Sequence, residues 1–249
     1  MLLGMRFVEL WPWRSTARYR SLRLSSVAGE MPSCCYGDEY GSMFDPKEAS
    51  RTASRFRRRG LRGSARELVN VLGSVVPPGS RVLEVGGGVG QIQVALLEAG
   101  IVSGAVNVDL SASWDEAARA LMAERGLFDR IDRMVGDFVD LAPGLPEVDV
   151  VVLHRVVCCY PDWRAMLEAA QAKARRVVAL TVPKDRWWTR VGIRVVNLGL
   201  RWRGVSFRGF VHPPEAMIDL LSSAGFSLVH DSTGSVWRTV VAERAPAPG

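Results

Sequence analysis

The chain has 249 residues, 48% of them hydrophobic, and carries a formal net charge of +6. This length fits one α/β domain with a small accessory part, and the mean hydropathy of +0.07 is that of an ordinary globular protein. No apolar run reaches the roughly eighteen residues of a membrane span, which excludes a chain built of such spans. Only three of the 32 cationic residues are lysines, so the arginine excess reflects codon composition as much as a nucleic-acid surface.

Residues 1–30 differ in composition from the rest of the chain. The apolar stretch at 1–13 is interrupted by Arg6 and Glu9, so it lacks the continuous apolar segment of a secretory signal. The arginines and serines that follow are compatible with an organellar transit peptide, or with an upstream extension before a working start at Met31. We favour the extension and expect it to be poorly ordered.

Residues 31–75 are predicted to form an N-terminal helical cap. They contain a basic run at 55–60, and then Ser64-x-x-Glu67, whose spacing is that of a capping box. Apolar residues recur after it at helical period, namely Leu68, Val71, Leu72 and Val75. We therefore predict a helix that begins near Ser64 and ends before Pro77.

A strand, a tight turn and a helix are predicted at 81–99. The strand runs into four glycines within five positions, which are Gly86, Gly87, Gly88 and Gly90. Such a turn needs positive φ angles and lets a ligand approach the backbone closely. The spacing departs from the dinucleotide fingerprint G-x-G-x-x-G, since Gln91 stands where the third glycine would be. Glu84 suits a ligand with an ammonium group better than a pyrophosphate, and both features disfavour an NAD-dependent oxidoreductase.

Two further strand ends carry carboxylates. Asp109, followed by Leu110, ends the second buried strand, where it can accept both hydroxyl groups of a ribose. Asp137 and Phe138 follow the third strand, at 131–135. An acceptor oxygen beside an apolar face is what the exocyclic amine of a flat base requires. The alternative is that Asp137 caps a short turn and Phe138 belongs to the core.

In this order, residues 82–91, Asp109 and Gly136-Asp137-Phe138 resemble the motifs of class I S-adenosylmethionine (SAM)-dependent methyltransferases. The resemblance covers about residues 64–244. It implies a Rossmann-like α/β fold with a seven-stranded, mostly parallel sheet, an antiparallel C-terminal strand and helices on both faces. It also implies SAM as cofactor, with Asp137 on the adenine amino group and Phe138 near the adenine ring. The residues expected to bind the cofactor are Glu84, Gly86, Gly87, Gly88, Gly90, Gln91, Asp109, Leu110, Asp137, Phe138 and His154.

The central fourth strand is predicted at 148–153, because this run is too continuously apolar for a half-exposed strand. His154, at its carboxyl end, is the best candidate for a general base, since the unperturbed pKa of histidine lies near neutrality. His212 is the second candidate, and Tyr160 could instead orient the acceptor. For both histidines the alternative is a structural role.

Several arginines are candidates for binding an acidic group. In class I methyltransferases the residues before the first strand fold over the cofactor and help to shape the acceptor pocket. By this resemblance, Arg57 or Arg58 could meet a carboxylate of the cofactor or the acceptor. Arg155, next to His154, is expected to contact the acceptor. The alternative for the cap arginines is a solvated basic helix face.

Residues 185–211 are predicted as an insertion between the fifth strand, at 177–180, and the last helix. One helical stripe contains Trp187, Val191, Val195, Leu198 and Trp202, and the arginines lying elsewhere on the helical wheel are Arg190, Arg194 and Arg201. Such a helix can cover an apolar pocket, lie on a membrane surface, join a dimer or pack on the core. We favour a lid over an apolar acceptor, with Trp187 and Trp188 in contact with it.

The rest of the chain completes a predicted methyltransferase domain at 76–244. His212-Pro213-Pro214 begins the last helix, and a closing pair of strands is predicted at 226–231 and 236–243. Residues 245–249 are predicted as a disordered tail.

The cysteines form two vicinal pairs, Cys34-Cys35 and Cys158-Cys159. Neither resembles C-x-x-C, and no histidine cluster lies nearby, so we expect no metal site. Buried thiols in a reducing cytosol are the expectation for both pairs, which favours a cytoplasmic protein.

The predicted function is methyl transfer from SAM to a small, partly apolar acceptor, with an acceptor that bears an acidic group as one option. The chain lacks the Asn-Pro-Pro-Tyr-type motif of amino-directed DNA and glutamine methyltransferases, and the Pro-Cys dipeptide of cytosine-C5 enzymes. It is most similar to small-molecule O-, N- or C-methyltransferases, distantly including those acting on porphyrin carboxylates and quinone-like rings. The alternatives are an RNA methyltransferase that uses the arginines of 51–66 on phosphates, and a non-catalytic SAM-binding protein. DNA is not expected as a partner, RNA is disfavoured, and the oligomeric state is left open.

Overall fold

A computed structural model of the protein describes residues 45–245. The predictions for the extension at 1–30, for Cys34-Cys35 and for the tail beyond residue 245 lie outside this range. Within it, no helix is both long enough and apolar enough to cross a membrane.

Seven strands form one sheet in the order β3-β2-β1-β4-β5-β7-β6. The strands are β1 (Ser80–Val85), β2 (Val102–Asp109), β3 (Ile131–Val135), β4 (Val148–His154), β5 (Ala174–Pro183), β6 (Phe226–Thr233) and β7 (Trp237–Arg244). Strands β1 to β5 pair in parallel, and β7 is antiparallel to both of its neighbours. This confirms the predicted fold class. The strand order reverses between β1 and β4, and in open α/β sheets ligands bind outside the carboxyl ends of the strands at such a point.

Eight helices flank the sheet in the described part of the chain. They are α1 (Pro46–Arg59), α2 (Gly63–Val75), α3 (Gln91–Glu98), α4 (Asp115–Glu124), the short α5 (Phe138–Leu141), α6 (Trp163–Lys173), α7 (Trp187–Trp202) and α8 (Pro214–Ser223). Single 3₁₀ turns occur at Ala112–Trp114, Phe128–Arg130, Ala142–Gly144 and Val157–Cys159. The helix predicted in the insertion is therefore confirmed as α7.

The central strands are buried on both faces, which fixes the position of their carboxyl ends. In β4, Val150 and Val152 belong to the core on one side of the sheet, whereas Val151 and Leu153 belong to the core on the other. This alternation follows from the two-residue period of a strand. Each fully buried side chain of this size contributes about 1.5–3 kcal/mol to folding. The side chains that follow these strands are thus attached to a sheet that is packed on both faces.

The capping-box prediction is wrong for α2. This helix begins at Gly63, with Arg62 at the N-cap and no side-chain cap. Ser64 Oγ instead lies 3.1 Å from His154 Nε2, and Glu67 Oε1 lies 2.9 Å from His230 Nε2. Both capping side chains are taken by partners from distant strands, which a local sequence pattern does not reveal.

The same spacing at Ser113-x-x-Glu116 predicts a capping box for the next helix, and this prediction is also wrong. A 3₁₀ turn at Ala112–Trp114 precedes α4, which begins at Asp115 without a side-chain cap. The Asp115 carboxylate instead accepts hydrogen bonds from Arg119 and Arg133.

Candidate active site

The glycine loop connects β1 to α3 at the carboxyl edge of the sheet. Gly86, Gly88 and Gly90 have φ angles of +63°, +58° and +78°, which residues other than glycine rarely adopt. Gly87 has an ordinary φ but no room, because a Cβ there would lie 2.1 Å from Asn107 Nδ2 and 2.8 Å from Glu84 Cδ. The loop therefore needs glycine for two separate physical reasons.

Two buried carboxylates lie beside this loop. Glu84 is only 2% exposed and accepts a hydrogen bond from the Gln93 N–H at 3.2 Å. Asp109 accepts hydrogen bonds from the Gly88 N–H at 2.7 Å and from the Ser111 N–H at 2.9 Å. Burial raises the pKa of Glu84 to about 8 and also raises the pKa of Asp109. Each carboxylate retains lone pairs for a ligand.

Sequence reasoning missed Arg133, on β3, whose side chain binds the backbone of the glycine loop. Its side chain is buried, and the residue is only 9% exposed. The Arg133 Nη1 donates to Gly88 O at 2.8 Å and to Asn107 Oδ1 at 2.6 Å. Its Nε donates to Asp115 Oδ1 at 3.0 Å. The positive charge lowers the pKa of Glu84 and Asp109 and so opposes the effect of burial. The available signal was an arginine in the middle of a predicted core strand, which is costly unless it is paired.

Asp137 fits both interpretations made from the sequence. Its Oδ1 accepts the Val139 N–H at 2.8 Å and so caps α5, while its Oδ2 accepts the Tyr160 O–H at 3.0 Å. Burial raises the pKa of Asp137. Phe138 is packed in the core, yet both residues also line the cavity described below. The structure thus joins Tyr160 to a carboxylate from a different strand end.

His154 is held in a hydrogen-bonded pair with the cap. The Arg155 Nη2 donates to Ser64 Oγ at 3.0 Å, so that oxygen serves as an acceptor and its own proton is available to His154 Nε2. Burial, and then the charge of Arg155, lower the pKa of His154 to about 3. The pKa of His154 therefore lies well below that of an unperturbed histidine, because its ring is partly buried beside a cation.

Arg155 adopts a φ of +57°, the only positive φ at a residue other than glycine within 45–245. Its N–H donates to Thr181 O at 3.1 Å, and its guanidinium lies over the Trp237 ring, 4.5 Å from the centroid. The strained backbone turns the chain out of β4, and the hydrogen bond and the stacking hold it there. Arg155 consequently joins the strand end to the cap and to β7.

His212 does not line the cavity. Its Nε2 lies 2.9 Å from Tyr160 O, and its ring stacks on Phe210 with centroids 5.3 Å apart. Burial lowers the pKa of His212. The structure therefore places His212 behind Tyr160, where it holds the backbone of that residue, and not on the cavity wall.

The predicted cap arginines lie away from the cavity. Arg57 Nε pairs with Glu124 Oε2 at 2.6 Å, and Arg58 is exposed. Neither side chain lines the cavity, whereas Thr52, earlier on α1, does. The prediction that Arg57 or Arg58 meets a ligand carboxylate is not supported, because α1 turns these positions towards α4 and solvent.

The insertion also lies outside the cavity. Trp187 and Trp188 do not line it, and they are 76% and 40% exposed. The buried residues of α7 are Thr189 and Leu200, on the opposite side of the helix. The tryptophans lie away from the cavity, and a lid that contacts the acceptor stays a prediction. The alternative of packing the apolar stripe on the core is wrong, because that stripe is exposed.

Cys158 and Cys159 are half-buried and form no disulfide bond, and they are not core residues. Their Sγ atoms lie 3.8 Å apart, and the Cys158 thiol donates to Arg155 O at 3.5 Å. Cys159 lines the cavity. The expectation that this pair is buried is therefore wrong.

The strand ends surround one cavity of about 240 Å³. Its wall combines the glycine loop, the ends of β1 to β4, Thr52 of the cap and the loop that carries Tyr160. The predicted site residues that line it are Glu84, Gly86, Gly87, Gly88, Gln91, Asp109, Leu110, Asp137, Phe138, His154, Arg155 and Tyr160. Gly90 lies behind it, at the N-cap of α3. Sequence reasoning thus located most of the wall, because the carboxyl ends of parallel strands meet at one edge.

Comparison with known proteins agrees with this geometry. The family described as "Methyltransferase domain" matches residues 55–231, more than half of the chain. No curated protein matches the sequence.

Among solved structures, the chain is similar to the magnesium protoporphyrin IX methyltransferase of Synechocystis with bound SAH. The identity is 21% and the TM-score 0.59, over 84% of this chain and 94% of that one. It is also similar to an O-methyltransferase family protein of Burkholderia thailandensis, with 14% identity and a TM-score of 0.63 over 86% and 64% of the two chains. A third is an O-methyltransferase family 2 protein of Planctomyces limnophilus in complex with apigenin, with 18% identity and a TM-score of 0.57 over 80% and 62%.

The family match spans the glycine loop and all the strand ends of the site, and the sheet order is the one implied by the motifs. The chain therefore belongs to the class I SAM-dependent methyltransferases.

Proposed function

We propose that this enzyme transfers the methyl group of SAM to a small, partly apolar acceptor that reacts through an oxygen anion. The observation that carries the proposal is that His154 and Arg155 lie next to each other on the cavity wall and that both contact Ser64 Oγ. The histidine is a weak base with a pKa of about 3, and the neighbouring arginine offers a permanent positive charge. A site of this kind favours an acceptor that has already lost its proton.

The cavity fits SAM by the chemistry of its wall. We assign Glu84 to the ammonium group and Asp109 to the ribose hydroxyl groups. Asp137 and Phe138 are assigned to the adenine. The residues of the glycine loop are assigned to positions along the length of the cofactor, namely Gly86, Gly87, Gly88 and Gln91. Glu84 and Asp109 supply buried acceptors, and the missing Cβ at Gly87 keeps the loop close to them. The buried Ser111 Oγ, also on the cavity wall, has no hydrogen-bond partner among residues 45–245.

When bound, SAM supplies an electrophilic methyl group that needs no further activation. The protein then has to orient the acceptor and exclude water, and orientation alone can be worth an effective molarity of about 10⁵ to 10⁸ M. We assign this orienting role to Tyr160 and Arg155. The Tyr160 O–H is directed at Asp137 and the Tyr160 backbone is held by His212. This loop therefore links the proposed adenine site to the acceptor side of the cavity.

A carboxylate or a phenolate is the acceptor group we favour. A carboxylate is ionised at neutral pH, so its methylation needs no base. Arg155 uses one of its five N–H donors on Ser64, which leaves others for an anionic oxygen. Two structural neighbours are named for magnesium protoporphyrin IX and for a complex with apigenin, both flat and largely apolar molecules that bear oxygen groups.

Labelled SAM and a panel of acceptors test this proposal directly. The panel contains aromatic carboxylic acids, phenols, aromatic amines and RNA. We expect label in the acids or phenols, and a methyl ester is recognised because mild alkali releases it as methanol. Label confined to amines would contradict the oxygen acceptor. Label in RNA, with binding that weakens steeply as salt increases, would instead support the RNA methyltransferase.

A second test uses the pH profile of methyl transfer. If the acceptor is a carboxylate and no protein base takes part, kcat should stay level between about pH 6 and 8, since the acceptor is ionised throughout. His154→Gln keeps a hydrogen-bonding side chain beside Ser64 and should preserve this profile. A profile that rises with pH in the wild type and becomes level in the variant would show that His154 is the base after all.

A further inference from the structure

Helix α7 presents its apolar side to solvent. We define the α7 apolar face as Trp187, Trp188, Val191, Val195, Leu198 and Trp202. Trp187, Val195 and Trp202 are 76%, 64% and 81% exposed. In a helix that packs on a core these side chains would be the buried ones. Here the buried side contains Thr189 and Leu200, so the amphipathic helix faces outwards.

The same segment is strongly cationic. Residues 184–208 contain seven cationic side chains and one carboxylate, Asp185, a net charge of +6 that equals the net charge of the whole chain. Arg190 is paired with Asp185 at 2.6 Å. None of the ion pairs within residues 45–245 involves Arg194 or Arg201, which lie along one flank of the α7 apolar face. Apolar and cationic surfaces are therefore adjacent on one exposed helix.

The helix is fixed to the body of the protein beside the cavity. Asn197 exchanges two hydrogen bonds of 2.8 Å with the backbone of Gly209. The next residue, Phe210, donates its N–H to Cys158 O at 2.8 Å, in the loop that carries Tyr160. The α7 apolar face is thus presented in a defined position at the carboxyl edge of the sheet.

We propose that α7 binds the surface of a membrane that contains anionic phospholipids. Tryptophans stand at both ends of the helix, and their rings prefer the level of the lipid headgroups. Valine and leucine between them would enter the boundary of the acyl chains, while Arg194 and Arg201 would meet the phosphates. A second copy of the chain is a poorer occupant, because a symmetric contact would bring two segments of charge +6 together.

This inference is independent of the proposed acceptor, and vesicle flotation with the full chain tests it. The probes are phosphatidylcholine vesicles with and without phosphatidylglycerol. We expect binding to the mixed vesicles, at least tenfold weaker binding to phosphatidylcholine alone, and release by salt. Arg194→Glu/Arg201→Glu should weaken binding to the mixed vesicles by about tenfold or more.

The matched control is Arg55→Glu/Arg66→Glu, which makes the same change of charge at exposed positions of α1 and α2. It should bind the mixed vesicles nearly as the wild type does. Trp202→Ser/Val195→Ser tests the apolar part and should also weaken binding about tenfold. SAM binding by each variant shows that it is folded.

Three outcomes would overturn the inference. The first is equal binding to both kinds of vesicle, which would remove the role of the arginines. The second is an equal loss of binding in the control, which would make the effect one of total charge. The third is the absence of vesicle binding together with a concentration-dependent dimer that Trp202→Ser/Val195→Ser abolishes, which would assign the face to a second copy.

Discussion

In most proteins ionisable side chains are exposed and large apolar side chains are buried. The glycine-loop region departs from the first half of this rule, and helix α7 departs from the second. At the loop, the ionisable residues Glu84, Asp109 and Arg133 are buried. On α7, three tryptophans are apolar and exposed. These buried side chains are held by hydrogen bonds to the backbone of the loop and of α3, so we expect the fold to depend on them. The exposed apolar residues contact little of the protein, so their placement matters for what binds there rather than for folding.

The largest expected effect is at Arg133. Arg133→Met removes the hydrogen bonds that Arg133 donates to Asn107 Oδ1, Gly88 O and Asp115 Oδ1, and should lower the free energy of unfolding by about 3–5 kcal/mol. Urea denaturation measures it. The matched control is Arg81→Met, which removes an exposed ion pair with Asp132 and should cost less than about 1 kcal/mol. Equal losses in the two variants would show that the buried network is not what holds the loop.

The next effect is a pH dependence due to Glu84. Its pKa is about 8 in the folded protein and 4.5 as the ordinary value, so the folded state keeps a proton that the unfolded chain releases in this window. The resulting stabilisation is present in full below pH 4.5 and is lost as the pH rises through about 8. As the pH rises from 4.5 to about 8, Glu84 should therefore lower the free energy of unfolding by at most about 1.4 kcal/mol for each pH unit.

Glu84→Gln should remove this slope in urea titrations at several pH values. In the wild type, SAM should bind more tightly as the pH rises towards 8, since the ammonium group needs the ionised carboxylate. An affinity for SAM that does not change over this range would contradict the assignment of Glu84 to the ammonium group.

A smaller effect is expected at Gly87. In Gly87→Ala the new Cβ would overlap Asn107 Nδ2 and press on Glu84, so we expect a loss of about 1–3 kcal/mol in stability and weaker SAM binding by calorimetry. Gly144→Ala is the control, since a Cβ there meets nothing within 4 Å. If both variants bind SAM like the wild type, the loop is not the tight cradle described above.

Tyr160→Phe should have a still smaller effect on stability. It removes the O–H that donates to Asp137, at a cost of about 0.5–1.5 kcal/mol. If Tyr160 orients the acceptor, KM for the acceptor should rise while the Kd of SAM changes little. A change confined to SAM binding would place Tyr160 on the cofactor side.

The smallest effect is expected on α7. Trp202 is 81% exposed, so Trp202→Ser should change the free energy of unfolding by less than about 0.5 kcal/mol. Trp114, which is buried against the glycine loop, provides the contrast, since Trp114→Ser should cost about 3 kcal/mol or more. A large loss in Trp202→Ser would mean that α7 packs more closely on the protein than its exposure indicates.

Much of the fold and of the cavity wall could be read from local patterns. Glycines that need positive φ, such as Gly86 and Gly88, mark their turn by residue type alone. The apolar run before His154 indicates a strand buried on both faces. Once those strands are parallel, the residues after them must lie at one edge, and so the positions of Asp109 and Asp137 were predictable.

By itself, the sequence determined the order of strands and helices, the glycine loop and the carboxylates at the strand ends, because each depends on neighbours in the chain. Only the tertiary structure decided the low pKa of His154, the role of Arg133 under the loop and the outward direction of the α7 apolar face. These properties depend on groups distant in sequence: Arg133 is brought to Gly88 by strand pairing, and His154 to Ser64 by the cap. Burial and electrostatic interaction follow distance in space, which no local pattern of residues contains.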